Sequence, residues 1–207
     1  MSILSSLADK YGADKNDAGH GYISTYDFWL KDRKIDSMLE IGFGPGASPR
    51  MWREYYPDSK IYIMELFGKE FENTWKSPKT DNVGVDMIIG DATLPETWTN
   101  VPFELDMIID DASHLPNDQI NALIYGLSHL KSKGIYIIED VYCNFDPDYS
   151  KEDVFFEWLN RVVVNQQSSN LPLLSKDFYY NRQYMAYPAC DIFAYHIYKG
   201  FVVFEKA

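Results

Sequence analysis

Five short runs rich in Ile, Val and Met constrain the fold of this chain more than any other feature: Met38–Ile41, Ile61–Leu66, Val85–Ile89, Leu105–Ile109 and Ile135–Ile138. Each ends in an acidic or glycine-containing turn. Strands covered on both faces lose the in-out alternation of a half-exposed sheet, so these runs predict buried parallel strands. Helical patterns lie between and after them, at Ser48–Tyr56, Phe67–Trp75, Pro116–Leu130 and Ser150–Val164. Ser150 and Asp153 are placed as the N-cap and first-turn partner of the last of these helices. Strands alternating with helices at this spacing imply a doubly wound α/β sheet. The end of the chain differs. Phe193–Tyr198 and Phe201–Glu205, joined by Lys199-Gly200, predict an antiparallel hairpin added to the parallel sheet. Nothing in the 207 residues divides them, so one domain is expected. Residues 1–35 would form an N-terminal helical cap. Residues 165–192, with Phe178, Tyr179, Tyr180, Tyr184 and Tyr187, would form an aromatic lid.

Charge narrows the partners. With 19 basic and 31 acidic side chains the formal charge is −12, which repels phosphate backbones and anionic membrane surfaces. Nucleic acid is therefore not expected as a partner, and no apolar run is long enough for a membrane span. Cys143 and Cys190 are too few for a disulfide framework, and the start lacks the pattern of a secretory signal. A cytoplasmic location is the expectation. The aromatic share, 16% with 16 Tyr, exceeds what a core needs and points to a ring-lined pocket.

The first predicted strand runs into Leu39-Glu40-Ile41-Gly42-Phe43-Gly44-Pro45-Gly46-Ala47-Ser48. Glycines let the backbone turn and approach a ligand closely, and a helix N-terminus offers free N–H groups. The loop loosely satisfies a nicotinamide-type pattern as well. Two features favour S-adenosylmethionine (AdoMet): Glu40 stands where a carboxylate could hold an ammonium, and Pro45 removes an N–H that a pyrophosphate would use. Glu65, ending the second strand, is placed for the ribose hydroxyls, and Asp91, after the third, for the adenine amino group. Gly42, Gly44, Gly46, Ser48 and Asp110 complete the expected cofactor set.

The fourth strand ends Asp110-Asp111-Ala112-Ser113-His114 and the fifth ends Glu139-Asp140. Neighbouring strands of such a sheet bring their carboxyl ends together, so Asp111, Glu139 and Asp140 can converge. Three carboxylates repel one another unless a cation joins them, and all-oxygen ligation suits Mg²⁺ (or Mn²⁺) better than Zn²⁺. His114 lies near enough to act as a general base. An EF-hand-like run from Asp146 to Glu157 fails because Lys151 stands where glycine must turn. Nucleophile-elbow, P-loop and paired-cysteine zinc patterns are missing from the sequence.

The motifs LEIGFGPGAS, IIDDASH and IYIIEDV, together with Tyr11-Gly12-Ala13-Asp14-Lys15 and His20-Gly21-Tyr22, resemble one family. It is the metal-dependent class I AdoMet sugar O-methyltransferases of macrolide and polyketide-glycoside biosynthesis, the mycinamicin and demethylmacrocin O-methyltransferase family. The resemblance covers about Tyr11 to Tyr142. It implies a Rossmann-like class I methyltransferase sheet, Mg²⁺ on Asp111, Glu139 and Asp140, and His114 as base. It further implies a 6-deoxyhexose acceptor such as rhamnose in a glycan or glycoside. Ala112 and Glu65 depart from the family's usual Gly and Asp. Tyr22, Tyr142, Tyr179 and Arg182 are the candidate acceptor contacts. Two rivals use parts of the same residues: a catechol or phenolic diol O-methyltransferase, and a nicotinamide-dependent oxidoreductase. A homo-oligomer, or a place as one domain of a larger glycan-building protein, is left open.

Overall fold

The computed structural model describes residues 1–16, 18–66, 84–149, 154–167 and 192–207, with the backbone alone over 163–167. The helix expected at Phe67–Trp75, the cap at Ser150 and Asp153, and most of the expected lid, including Tyr179 and Arg182, lie outside these residues.

Among the described residues seven strands form one sheet in the order β3-β2-β1-β4-β5-β7-β6. They are β1 Ser37–Ile41, β2 Lys60–Glu65, β3 Asp86–Ile89, β4 Leu105–Asp110, β5 Leu130–Glu139, β6 Ile192–Tyr198 and β7 Phe201–Lys206. β1 to β5 pair in parallel, whereas β7 pairs antiparallel with both β5 and β6. Every expected strand is present. β5 begins earlier than the apolar run suggests, at Leu130, and its register shifts before Ile135.

Helices cover both faces. α1 (Ile3–Tyr11), α2 (Ile23–Leu30) and α3 (Ala47–Tyr55) lie on one side. α4 (Pro95–Trp98), α5 (Pro116–His129) and α6 (Val154–Gln167) lie on the other. The strand period of two sorts the core accordingly. Met38, Met107, Ile109, Ile135 and Ile137 pack with Leu4, Tyr26 and Trp52. Leu39, Ile41, Ile108, Tyr136 and Ile138 pack with Leu123, Leu127, Phe155 and Trp158. By the same parity Glu40, Asp111 and Glu139 belong to the face under α1–α3, and Asp110 to the face under α5. Among the described residues no helix is long and apolar enough to cross a membrane.

Candidate active site

A cavity of about 560 Å³ opens at the carboxyl ends of β1 to β4, within the size range of small-molecule sites. Its wall runs from Glu40 through Gly42–Pro45 to Glu65, then Asp91–Thr93, and ends on Asp110–His114. The glycine loop makes this wall possible. Gly42 has φ of 99°, and a Cβ there would stand 2.2 Å from the Asp111 carbonyl oxygen, so β1 and β4 can close up only around a residue without a side chain. Gly46 then caps α3 in the left-handed region.

The expected cofactor residues line one continuous surface. Glu65 accepts the Phe43 N–H through Oε2 at 2.7 Å, which fixes its carboxylate and leaves Oε1 for a ligand. Asp91 turns one oxygen back to the Thr93 N–H and hydroxyl, at 2.8 and 2.7 Å, and keeps the other. Ser48 donates to Glu40 Oε1, while the buried Glu40 Oε2 has no hydrogen-bond partner among the described residues. Burial pushes Glu40 up to about 7, against the pull of Lys15. Burial also pushes Asp110 up to about 7, with Asp111 adding to it.

Beyond this wall, Asp111, His114 and Asp140 bring ligand atoms within 4.8 Å of one another. His114 and Asp140 both sit at φ of 57°, a conformation that a non-glycine residue holds only when its surroundings impose it. His114 Nε2 lies 3.6 Å from Asp140 Oδ2, and its buried Nδ1 has no hydrogen-bond partner among the described residues. Glu139 stands behind these groups, under α2. Lys15 Nζ reaches its two oxygens at 2.8 and 2.9 Å, and the Tyr26 hydroxyl donates to it. Burial pushes Glu139 upward while Lys15 draws it back.

Two expected acceptor contacts separate here. Tyr22 is 3% exposed, with its hydroxyl 2.6 Å from Asp140 Oδ1 and 3.1 Å from the Gly200 carbonyl oxygen. It holds Asp140 rather than facing an acceptor, because β7 returns beside β5 and closes over it. Tyr142 is 46% exposed, with its hydroxyl 3.4 Å from His20 Nδ1. Sequence reasoning missed Lys15, Tyr26 and His20 as members of the site. His20 Nδ1 lies 3.5 Å from Asp140 Oδ1, and its ring stacks on Tyr22. Lys15 and His20 did stand in the N-terminal motif, and strand parity was the available signal for a buried cation.

No protein-family model matches the chain. Among curated proteins, L-olivosyl-oleandolide 3-O-methyltransferase of Streptomyces antibioticus is 28% identical, covering 70% of this chain and 39% of its own length. The 3'-O-methyltransferase of Streptomyces olivaceus for 8-demethyl-8-(2-methoxy-alpha-L-rhamnosyl)-tetracenomycin-C is 25% identical over 98% of this chain and 53% of its own. The chain thus spans about half or less of these relatives. Among solved structures, the MycE methyltransferase of the mycinamycin biosynthetic pathway, in complex with Mg, SAH and mycinamycin VI, superposes with a TM-score of 0.78. That match is 23% identical and covers 99% of this chain and 53% of MycE. The chain has the fold of the class I methyltransferases and is similar in sequence to macrolide and rhamnoside sugar O-methyltransferases.

Proposed function

We propose that this chain is an AdoMet-dependent, Mg²⁺-assisted methyltransferase domain acting on a sugar hydroxyl, with a 6-deoxyhexose such as rhamnose on a larger glycoside as the acceptor. The observation that carries this is one continuous wall from Glu65 to His114, with the Asp111–His114–Asp140 cluster at its end. The relatives' names supply the sugar.

The donor set fits both groups. Glu65 would accept the ribose hydroxyls, Asp91 the adenine amino group, and Glu40, with its unpartnered oxygen, the ammonium end. Asp111 and Asp140 would hold Mg²⁺ or Mn²⁺ with Glu139, since a carboxylate's four lone-pair sites are not exhausted by Lys15 and Tyr26. When bound, AdoMet supplies the electrophilic methyl group and the divalent ion the Lewis acidity that favours an ionised sugar hydroxyl. The protein does the rest by placement. Neutral His114 takes the acceptor's proton, and Asp140 beside Nε2 stabilises the imidazolium that forms. Tyr22 keeps Asp140 from turning away. Tyr142 offers a ring for the apolar face of a sugar.

Calorimetry with S-adenosylhomocysteine (SAH), followed by methyl-transfer assays on a rhamnoside and a catechol with and without EDTA, tests this. SAH binding and EDTA-sensitive methylation of the rhamnoside are expected. NAD binding without SAH binding would replace the cofactor. Methylation of the catechol alone would replace the acceptor, and full activity in EDTA would remove the metal.

A further inference from the structure

Lys15 is 0% exposed, which is rare for a lysine, and none of the roles above uses it. Its placement begins with α1, which ends at Gly12 in the left-handed region and turns the chain back so that the Ala13 N–H meets the Ala8 carbonyl at 2.9 Å. The Lys15 carbonyl then accepts the Tyr22 and Ile23 N–H groups, at 2.9 and 3.2 Å, which ties the residue to the start of α2. The side chain is thereby sent under the helical layer to the ends of β1, β4 and β5. There Nζ lies 2.6 Å from Asp111 Oδ2, 2.8 Å from Glu139 Oε1 and 3.8 Å from Glu40 Oε1.

We propose that Lys15 is the built-in counter-cation of the acidic cluster, a positioning residue that holds Asp111 and Glu139 in place without a divalent ion and sets how tightly such an ion binds. This rests on the reading of Asp111 and Asp140 as cation ligands. A buried ammonium against three carboxylates from three adjacent strands is stable only as a set, since removing one partner leaves the others buried and unpaired. An ion entering among Asp111, His114 and Asp140 meets the Lys15 charge beside Asp111 and is repelled by it. Replacing Lys15 with methionine keeps an unbranched apolar stem one atom shorter and removes the ammonium with its charge and its donors. The cluster then becomes less stable when empty and more attractive to a divalent ion.

The test uses the full chain, with MnCl₂ alone as the probe. In EDTA, Lys15→Met is expected to lower Tm by about 10 °C, on the scale of a broken buried ion pair in a chain this size. Saturating Mn²⁺ should recover most of that loss, and calorimetry should show Mn²⁺ bound at least about tenfold more tightly than by the wild type. The double variant Lys15→Met/Glu139→Gln, which removes one charge of each sign, should be more stable in EDTA than Lys15→Met alone. A Lys15→Met protein that folds only with Mn²⁺, or only when Glu139→Gln is added, also supports the role. An unchanged Tm with Mn²⁺ affinity within about twofold of wild type overturns it. So does a loss of folding that neither Mn²⁺ nor Glu139→Gln repairs, which would make Lys15 a packing residue. If the wild type binds no Mn²⁺, the metal part of the proposed function fails, and the Tm series in EDTA still decides the role of Lys15.

Discussion

Glu65 and Glu139 end strands of the same sheet and do different work because their surroundings differ. Glu65 stands at the cavity wall with one oxygen fixed by the Phe43 N–H and the other open to a ligand. Glu139 is buried between Lys15 and Tyr26. Glu65→Ala is therefore expected to weaken SAH binding by about ten- to a hundredfold, the worth of roughly 1.5–3 kcal/mol of lost acceptors, as read by calorimetry. His114 lies at the far end of the same wall, on the side away from Glu65. His114→Ala should lower kcat by about a hundred- to ten-thousandfold, the usual contribution of a positioned base, and leave SAH affinity unchanged. A variant with wild-type kcat and weakened acceptor binding would make His114 a binding residue instead.

The close approach of α5 to the sheet depends on a helical glycine. A Cβ at Gly126 would stand 2.5 Å from the Tyr136 ring and 3.0 Å from Trp98, and both rings belong to the packed core of that face. Alanine at this position gains about 1 kcal/mol of helix propensity. It also forces a methyl group into an interior without room, at a cost of about 1–3 kcal/mol. Gly126→Ala is thus expected to destabilise the protein by up to about 2 kcal/mol in urea titration. A stabilised variant would show that α5 can move away from β5 without loss. Tyr136 also lies 3.5 Å from Asp110, so a shift of that ring would reach the cavity wall.

For the whole molecule, one pH-dependent contribution comes from His129 at the end of α5, beside the amino end of β5 and away from the cavity at the carboxyl ends of the strands. Its ring stacks on Phe103, with centroids 4.5 Å apart, and Nδ1 lies 3.2 Å from the Pro102 carbonyl oxygen. Burial pulls this imidazole below its ordinary value, outweighing those carbonyl contacts. The unfolded chain, titrating near about pH 6.5, then binds more protons than the folded one just below that pH. The contribution of His129 to stability consequently rises with pH through this window, opposite in sign to those of Glu40 and Asp110, whose raised values favour the folded chain at the acidic end. In urea titrations, the stability at about pH 7.5 minus that at about pH 5.5 should be lower, with its sign kept, for His129→Gln than for the wild type. An equal difference would place the acid sensitivity elsewhere.

Much of this architecture is local in origin. Leu105–Ile109 and Ile135–Ile138 are strands because their side chains are apolar on both faces, and the glycine loop turns where Gly42 must be left-handed. Once the strands are parallel, Glu40, Glu65, Asp91, Asp111 and Asp140 stand at adjacent carboxyl ends by topology alone. The rest required the chain to fold back on itself. Lys15 is 96 residues from Asp111 and 124 from Glu139, and Tyr22 is 118 from Asp140. Periodicity does not name such partners, because any buried carboxylate needs a donor but no local rule says which one arrives. Parity shows that Glu40, Asp111 and Glu139 face one layer with Met38, Ile109 and Ile137. Only the packing of α1 and α2 on that layer brings Lys15 and Tyr26 to them and sets Tyr22, an expected acceptor contact, against Asp140. Sequence thus determined where the carboxylates stand, and tertiary structure decided which of them face the cavity and which are held from behind, since burial without a partner is too costly to persist.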